Sequence, residues 1–367
     1  MMMHRLRFRL QIFFFTLLYV YGLAGCTQTN GLTPPATTRQ PAATEQPASV
    51  IRDVVVHSSL SSQVDIRPFP AGISGERGLG YVRAEDRTLP VTQRPQNDEF
   101  RLVATNNFNP WLILLNNTAS PKTFLITTIL DYRQVPFTLD GKPSLLQLVE
   151  VPAHKEMNIP FSLDSLTPGR HDVQVVGFED PFNMTLDMNY RSDIHGNVIS
   201  RRTAVVVGDT QTPARTLDVL SNASIPNTKG PVNLDVMFLR RSVGHTEPIS
   251  PLRRALVYTD TVLLGQPYPL QIVVSRLSEK APQPDAVRAV VPFLDYHQIT
   301  LDGKDVLAVR LEPSTEAVVN ADLMLPKERG VHQFQAIYLD NPYANMLQDT
   351  QTSPFVMGSI RAALVVK

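Results

Sequence analysis

The residues of this chain whose chemistry could build a reactive or metal-binding centre are eight histidines, a few repeated carboxylates and one cysteine. His171 and His332 stand at equivalent places in two related segments, 169–174 (GRHDVQ) and 330–335 (GVHQFQ), which suits a duplicated site. The same placing suits a purely structural residue. His57, His154, His195, His245 and His297 scatter through expected loops and edges. They form no His-Glu-x-x-His pair, and no run of acids has calcium-loop spacing. Asp131 and Asp295 recur at matched positions and could ligate a cation at a sheet end, cap a turn or pair with a lysine. Asp140 and Asp302 each precede glycine and read as turn formers. Gly72-Ile73-Ser74-Gly75 falls short of a nucleophile elbow, and the glycines from Gly72 to Gly80 read as a surface loop. A single cysteine excludes an intrachain disulfide and a Cys-based metal site. With no nucleophile–base pair and no paired carboxylates in view, the expectation is a protein that is not an enzyme and takes neither metal nor cofactor.

The cysteine's surroundings give it another use. Residues 1–9 hold His4, Arg5, Arg7 and Arg9 and no acid, and 10–22 (LQIFFFTLLYVYG) is apolar but short for a membrane span. That is the charged-then-apolar pattern of a secretory signal. It ends in Leu23-Ala24-Gly25-Cys26, which resembles the lipobox of bacterial lipoproteins. The resemblance implies that residues 1–25 are a signal peptide and that Cys26 becomes the acylated first residue of the mature protein. Three acyl chains, at about 0.8 kcal/mol per buried methylene, would hold it to membrane lipid. Thr27 is permissive for onward sorting, so the expected place is extracytoplasmic and lipid-anchored, at the outer membrane or cell surface where two membranes exist. Residues 26–50 are Thr/Pro-rich with no apolar periodicity and read as a disordered tether. Such a tether spans about 25–30 Å as a coil.

The elements behind the tether are strands. Proline is abundant, at 30 residues, which favours a loop-rich β protein. Without Arg5, Arg7 and Arg9 the chain has 31 basic against 34 acidic residues, so its charge gives no reason to bind nucleic acid. The chain also repeats itself. Leu130-Asp131-Tyr132-Arg133-Gln134 returns as Leu294-Asp295-Tyr296-His297-Gln298, and Thr138-Leu139-Asp140-Gly141-Lys142 as Thr300-Leu301-Asp302-Gly303-Lys304. An offset of about 160 residues is that of a duplicated domain. Two domains, 51–210 and 211–367, are expected. Asp140-Gly141 and Asp302-Gly303 predict hairpin turns. From His171, Val173 and Val175 alternate with Asp172 and Gln174 as in a half-exposed antiparallel strand. Trp111 reads as a core residue, while 51–98 and 211–251 carry no strand assignment.

The stretch 166–175 (LTPGRHDVQV), with its Pro-Gly corner before an alternating strand, resembles the run into the sixth strand of bacterial immunoglobulin-like and fibronectin-like domains. The segment 264–274 (LGQPYPLQIVV) is similar to their second strand, with Trp111-Leu112-Ile113-Leu114 its counterpart. The chain departs from the family in having His at the tyrosine-corner position and no disulfide pair. The fold class implied is all-β, two tandem immunoglobulin-like antiparallel sandwiches. A connection of about twenty residues follows the sixth strand in each copy, longer than sandwich hairpins need. The candidate binding residues there are Asp180, Pro181, Phe182, Asn183, Met184 and Tyr190, with Asp340, Pro342, Tyr343, Asn345 and Met346 in the second copy. These loops either recognise a partner or fold back as an interdomain contact. The function expected is a membrane-anchored, non-catalytic binding or scaffold protein that engages an envelope protein or surface polymer. The alternatives are an accessory subunit of a membrane complex or, further off, an envelope hydrolase.

Overall fold

The computed structural model describes residues 51–70, 76–90, 93–95, 99–103, 105–193, 198–220, 225–226, 236–241, 256–275, 286–312, 315–344 and 356–367. Cys26, the leader and tether, His195, His245, Asn345 and Met346 lie outside them. The described residues fall in one compact unit, Gln46–Lys367.

The first half runs β1 (Val54–Val56), β2 (Asp65–Pro68), β3 (Arg77–Val82), β4 (Glu99–Leu102), β5 (Trp111–Asn116), β6 (Lys122–Leu130) and β7 (Arg133–Val135). It continues with β8 (Phe137–Leu139), β9 (Lys142–Ser144), β10 (Leu146–Val151), β11 (Lys155–Ser162), β12 (Gly169–Glu179), a five-residue helix α1 (Met188–Ser192) and β13 (Val198–Val207). The second half runs β14 (Val219–Leu220), β15 (Ile225–Pro226), β16 (Val236–Arg240), β17 (Thr259–Val262), β18 (Tyr268–Ser275) and β19 (Ala286–Leu294). Then come β20 (His297–Gln298), β21 (Leu307–Leu311), β22 (Thr315–Leu323), β23 (Gly330–Asp340), β24 (Met357–Gly358) and β25 (Ala362–Val366).

In the first half, β3-β5-β11 forms one sheet and β10-β6-β12-β13 the other. In the second, β16-β18-β22 faces β21-β19-β23-β25. This three-plus-four arrangement of antiparallel strands is the immunoglobulin-like sandwich, as the alternation implies. Leu112, Leu114, Phe124, Val173, Val175 and Val205 fill the first sandwich. Phe238, Ile272, Val290, Val309, Phe334 and Leu364 fill the second. Asp140-Gly141 and Asp302-Gly303 make the expected tight turns, with φ of 48° and 77°, and 48° and 78°. Both residues sit at positive φ, which a two-residue hairpin demands and Gly accepts freely.

Trp111 is a core residue as expected, in a small cluster with Val82 and Ile113 beneath the Arg87 guanidinium, 4.2 Å from its ring. Two expectations need correction. Gly78 and Gly80 are not in a surface loop but in β3, where Leu79 and Tyr81 face the core. A Cβ at Gly78 would lie 3.0 Å from Leu115 Cδ1, so this position favours a residue without one. The second concerns β12, which is not half-exposed: every residue of it is buried, Asp172 and Gln174 included. Its outer face is covered by the other half of the chain. Leu125, Ile129, Tyr132, Val176 and Phe178 pack against Ala289, Val291, Phe293, Tyr296 and Ile337 in a third core shared by the two sandwiches. Phe178 meets Phe293 edge-on at 6.0 Å and Tyr296 at 5.0 Å. Burying one such side chain stabilises by about 1.5–3 kcal/mol, so the halves are held as a core is, not as loosely docked neighbours.

Candidate functional site

The repeated Asp-Tyr dipeptides sit at the centre of this interface. Asp131 and Tyr132 make the two-residue turn between β6 and β7 at φ 50° and 68°, and Asp295 and Tyr296 the turn between β19 and β20 at 49° and 68°. A tyrosine at positive φ is strained by about 1–3 kcal/mol and persists only where its surroundings fix it. Here they do. Asp131 Oδ2 lies 2.7 Å from His171 Nδ1, and its Oδ1 accepts the Asp172 N–H at 3.0 Å. Asp295 repeats both contacts with His332 Nδ1 at 2.6 Å and the Gln333 N–H at 2.8 Å. The opposite ring edges donate to backbone carbonyls upstream, His171 Nε2 to Thr167 at 2.7 Å and His332 Nε2 to Glu328 at 3.0 Å. This is corner geometry. Burial opposes protonation of both rings, but the hydrogen bonds to aspartate and carbonyl outweigh it and raise both histidine pKa values.

The tyrosines point into the interface, where the two copies meet as near-mirror partners in sequence. Gln134 N donates to Gln298 Oε1 at 2.6 Å and Gln298 N to Gln134 Oε1 at 2.8 Å. Gln298 Nε2 reaches the Tyr132 carbonyl and Gln134 Nε2 the Tyr296 carbonyl, at 2.9 and 3.0 Å. Exchanging one half for the other reproduces each contact, which is the signature of a two-fold interface.

Both long loops reach into the opposite half. In the second copy, Tyr343 stacks edge-on against Tyr132 at 5.4 Å and donates its N–H to Asp172 Oδ2 at 3.1 Å. Arg202 donates to the carbonyls of Asp340 and Asn341 at 3.0 and 2.8 Å. Arg170 donates to those of Tyr343 and Ala344. Pro342 is half-buried beside them. Under this loop Asp172 receives Arg202 Nη2 at 2.6 Å and Tyr132 Oη at 2.5 Å. Burial alone would raise the Asp172 pKa, but the Arg202 charge and these hydrogen bonds hold it below the usual carboxylate range.

In the first copy, the Pro181 carbonyl accepts the Tyr296 hydroxyl at 2.9 Å, and Met184 is buried in the shared core. Asn183 N donates to the Asp180 carbonyl at 3.0 Å and Asn183 Oδ1 accepts the Thr185 N–H, which folds the loop on itself. Asp187 caps α1 through the Asn189 N–H at 2.7 Å. Tyr190 lies under the Arg361 guanidinium, 3.6 Å from the ring centre, and its carbonyl accepts from Arg361 Nη2. The two loops then diverge. Tyr343 is packed, whereas Phe182 is 45% exposed, with Leu186 at 47% and Met188 at 61% beside it in sequence.

The arrangement holds and presents, and its polar groups largely satisfy one another. Ser200, which lines a groove of about 440 Å³ with Leu79, Ile199 and Met357, donates its hydroxyl to the Val356 carbonyl at 2.7 Å. Among the described residues no three of His, Cys, Asp and Glu gather as a metal site. Sequence reasoning passed over Arg191, Arg202, Arg361 and the Gln134/Gln298 pair. The signal was present, since glutamine and arginine recur in both copies at places where a solvent-facing residue is free to drift.

No protein-family model matches the chain, and no curated protein matches its sequence. Among solved structures, the chain is similar to red sea bream transglutaminase, at 10% identity and TM-score 0.21, over 80% of this chain and 32% of that one. It is similar to the calcium binding domain CBD12 of CALX1.1, at 8% identity and TM-score 0.19, over 68% of this chain and 80% of that one. It is also similar to a protein of unknown function from Porphyromonas gingivalis W83, at 10% identity and TM-score 0.20, over 80% of this chain and 100% of that one. At such identities and scores the likeness carries nothing about activity.

Proposed function

We propose that the chain is an extracytoplasmic lipoprotein, anchored through Cys26, that acts as a non-catalytic binding or scaffold protein for an envelope partner. The charged and apolar leader ending in Leu23-Ala24-Gly25-Cys26 supports the anchor. The observation that carries the binding role is the first long loop, which exposes Phe182, Leu186 and Met188 on a backbone already tied down by its own hydrogen bonds. Aromatic and methionine side chains are enriched at interfaces. A loop fixed before binding loses little entropy on association. The shared core behind it makes the two sandwiches one rigid mount.

Gentle detergent extraction from cells, followed by affinity capture, tests the reading. The wild-type protein is expected to bring down a discrete envelope partner. The triple variant Phe182→Ser, Leu186→Ser, Met188→Ser is expected to lose that partner while unfolding at the wild-type temperature. Equal capture by both proteins would remove the loop from the binding role. Cys26→Ser is expected to abolish labelling by a palmitate analogue, and an unlabelled wild type would remove the anchor.

A further inference from the structure

The two halves of the interface differ in one chemical respect. In the first half Arg202, 1% exposed, is neutralised by the Asp172 carboxylate through Nε at 2.9 Å and Nη2 at 2.6 Å. The matched strand registers place Arg361 where Arg202 stands, Gln333 at Asp172 and Gln335 at Gln174. An amide cannot neutralise a guanidinium. A second arginine arrives as well: Arg191 of α1, fully buried, donates Nη1 to Gln333 Oε1 and Nε to the Thr185 carbonyl, both at 2.7 Å. The Arg361 N–H donates to the Arg191 carbonyl at 3.1 Å, so the two residues are held side by side. Gln333 Nε2 is directed to Tyr296 Oη at 3.0 Å and to Gln335 Oε1 at 3.3 Å.

This leaves three buried donors, Arg191 Nη2, Arg361 Nε and Gln335 Nε2, with no acceptor among the described residues. The Asp193 carboxylate also attracts Arg361, but its influence ranks below those of burial, Tyr190 and Tyr296. Burial, then repulsion from Arg361, pulls the Arg191 pKa down to about 10, which still leaves it charged at neutral pH. Two adjacent buried cations with so little counter-charge are costly, and native interiors pair such groups.

We propose that a small inorganic monoanion, chloride in the simplest case, binds among Arg191 Nη2, Arg361 Nε and Gln335 Nε2. It takes the role that the Asp172 carboxylate plays in the first half. It pins α1 of the first half to β23 and to the start of β25 in the second. The ligand is small because every donor is buried, and it is an anion because the three unmatched atoms it would meet are all donors, two of them on cations.

Thermal unfolding of the full chain at constant ionic strength tests this, in sodium chloride against sodium gluconate, whose anion is too large to enter. Chloride is expected to raise Tm by about 5 °C or more, and the rise is expected to saturate, as binding to the folded state alone requires. Gln333→Asp supplies the carboxylate from the chain itself. It is expected to bring the Tm in gluconate up to that of the wild type in chloride and to abolish the chloride dependence. Equal wild-type Tm in the two salts overturns the proposal, as does a Gln333→Asp protein that keeps the wild-type response. Should that variant fail to fold, wild-type crystals soaked in bromide decide. An anomalous peak within hydrogen-bonding distance of Arg191 Nη2 and Arg361 Nε supports the site, and no peak there rejects it.

Discussion

Replacing Asp172 with alanine strips the counter-charge from a guanidinium that has no route to water. Asp172 is 2% exposed and Arg202 1%, so solvent screens neither. The substitution removes two Arg202 contacts to Oδ2, at 3.1 and 2.6 Å, one to Oδ1 at 2.9 Å, the Tyr132 hydroxyl bond at 2.5 Å and the Tyr343 N–H bond at 3.1 Å. Breaking a buried pair from one side costs about 3–5 kcal/mol, roughly a thousandfold in the folding equilibrium. Arg202 keeps the Asp340 and Asn341 carbonyls, which solvate the cation but do not neutralise it, so the lower part of that range is the better figure. Urea unfolding of a protein spanning 51–367, with Asp172→Ala, Arg202→Met and the double variant, measures it. The double variant is expected to be more stable than Asp172→Ala, with a coupling of about 2 kcal/mol or more. A cost below about 1 kcal/mol for Asp172→Ala, or strictly additive effects, would refute the reasoning that this pair closes the interface.

Other outcomes follow from the same contacts. Phe182→Ala is expected to change stability by less than about 0.5 kcal/mol, as exposed sites do. Tyr343→Ala is expected to cost about 1–3 kcal/mol, since it loses half-buried surface and the ring contact with Tyr132. Both are read by denaturant unfolding. His171 and His332 have raised pKa values, so the stability they add is present in full below about 6.5 and is lost as pH rises through their folded values. Asp172, with its lowered pKa, adds stability that is present above about 3.9 and lost as pH falls. The double variant His171→Gln, His332→Gln is therefore expected to flatten the alkaline side of the stability–pH curve and leave the acid side in place. Proteins 51–210 and 211–367, made separately, expose the apolar face that each hides in the whole chain, so mixing them is expected to give a one-to-one complex by light scattering.

The strand pattern was legible because its causes are local. Asp140-Gly141 and Asp302-Gly303 announce their turns, since glycine at positive φ has few other reasons to follow aspartate between apolar runs. Val173 and Val175 alternate because one side of β12 is core. Alternation does not say what lies on the other side, and there the sequence misled. Asp172 and Gln174 are polar, so they looked solvent-facing, yet they are buried where the second sandwich covers β12, and that sandwich's Tyr343 N–H helps to satisfy Asp172. The Asp-Tyr turns were hidden for another reason. Tyrosine at positive φ belongs to no turn rule, and it is held there only by distant partners such as Asp172 for Tyr132 and Pro181 for Tyr296. The long loops could be read as long, but not as unlike. What leaves Phe182 exposed while its counterpart Tyr343 packs is the opposite half, which neither loop encodes.

The binding role is tested most directly at Met188, the most exposed apolar side chain of the first loop. A photo-reactive amino acid placed there in the full chain, and irradiated in living cells, covers partners within a few ångströms of the loop. The expected result is one discrete cross-linked species in the envelope fraction, not seen when the same probe replaces the exposed Asn320 on β22. A pattern at position 188 that matches the one at 320, or no product at either, would contradict the account.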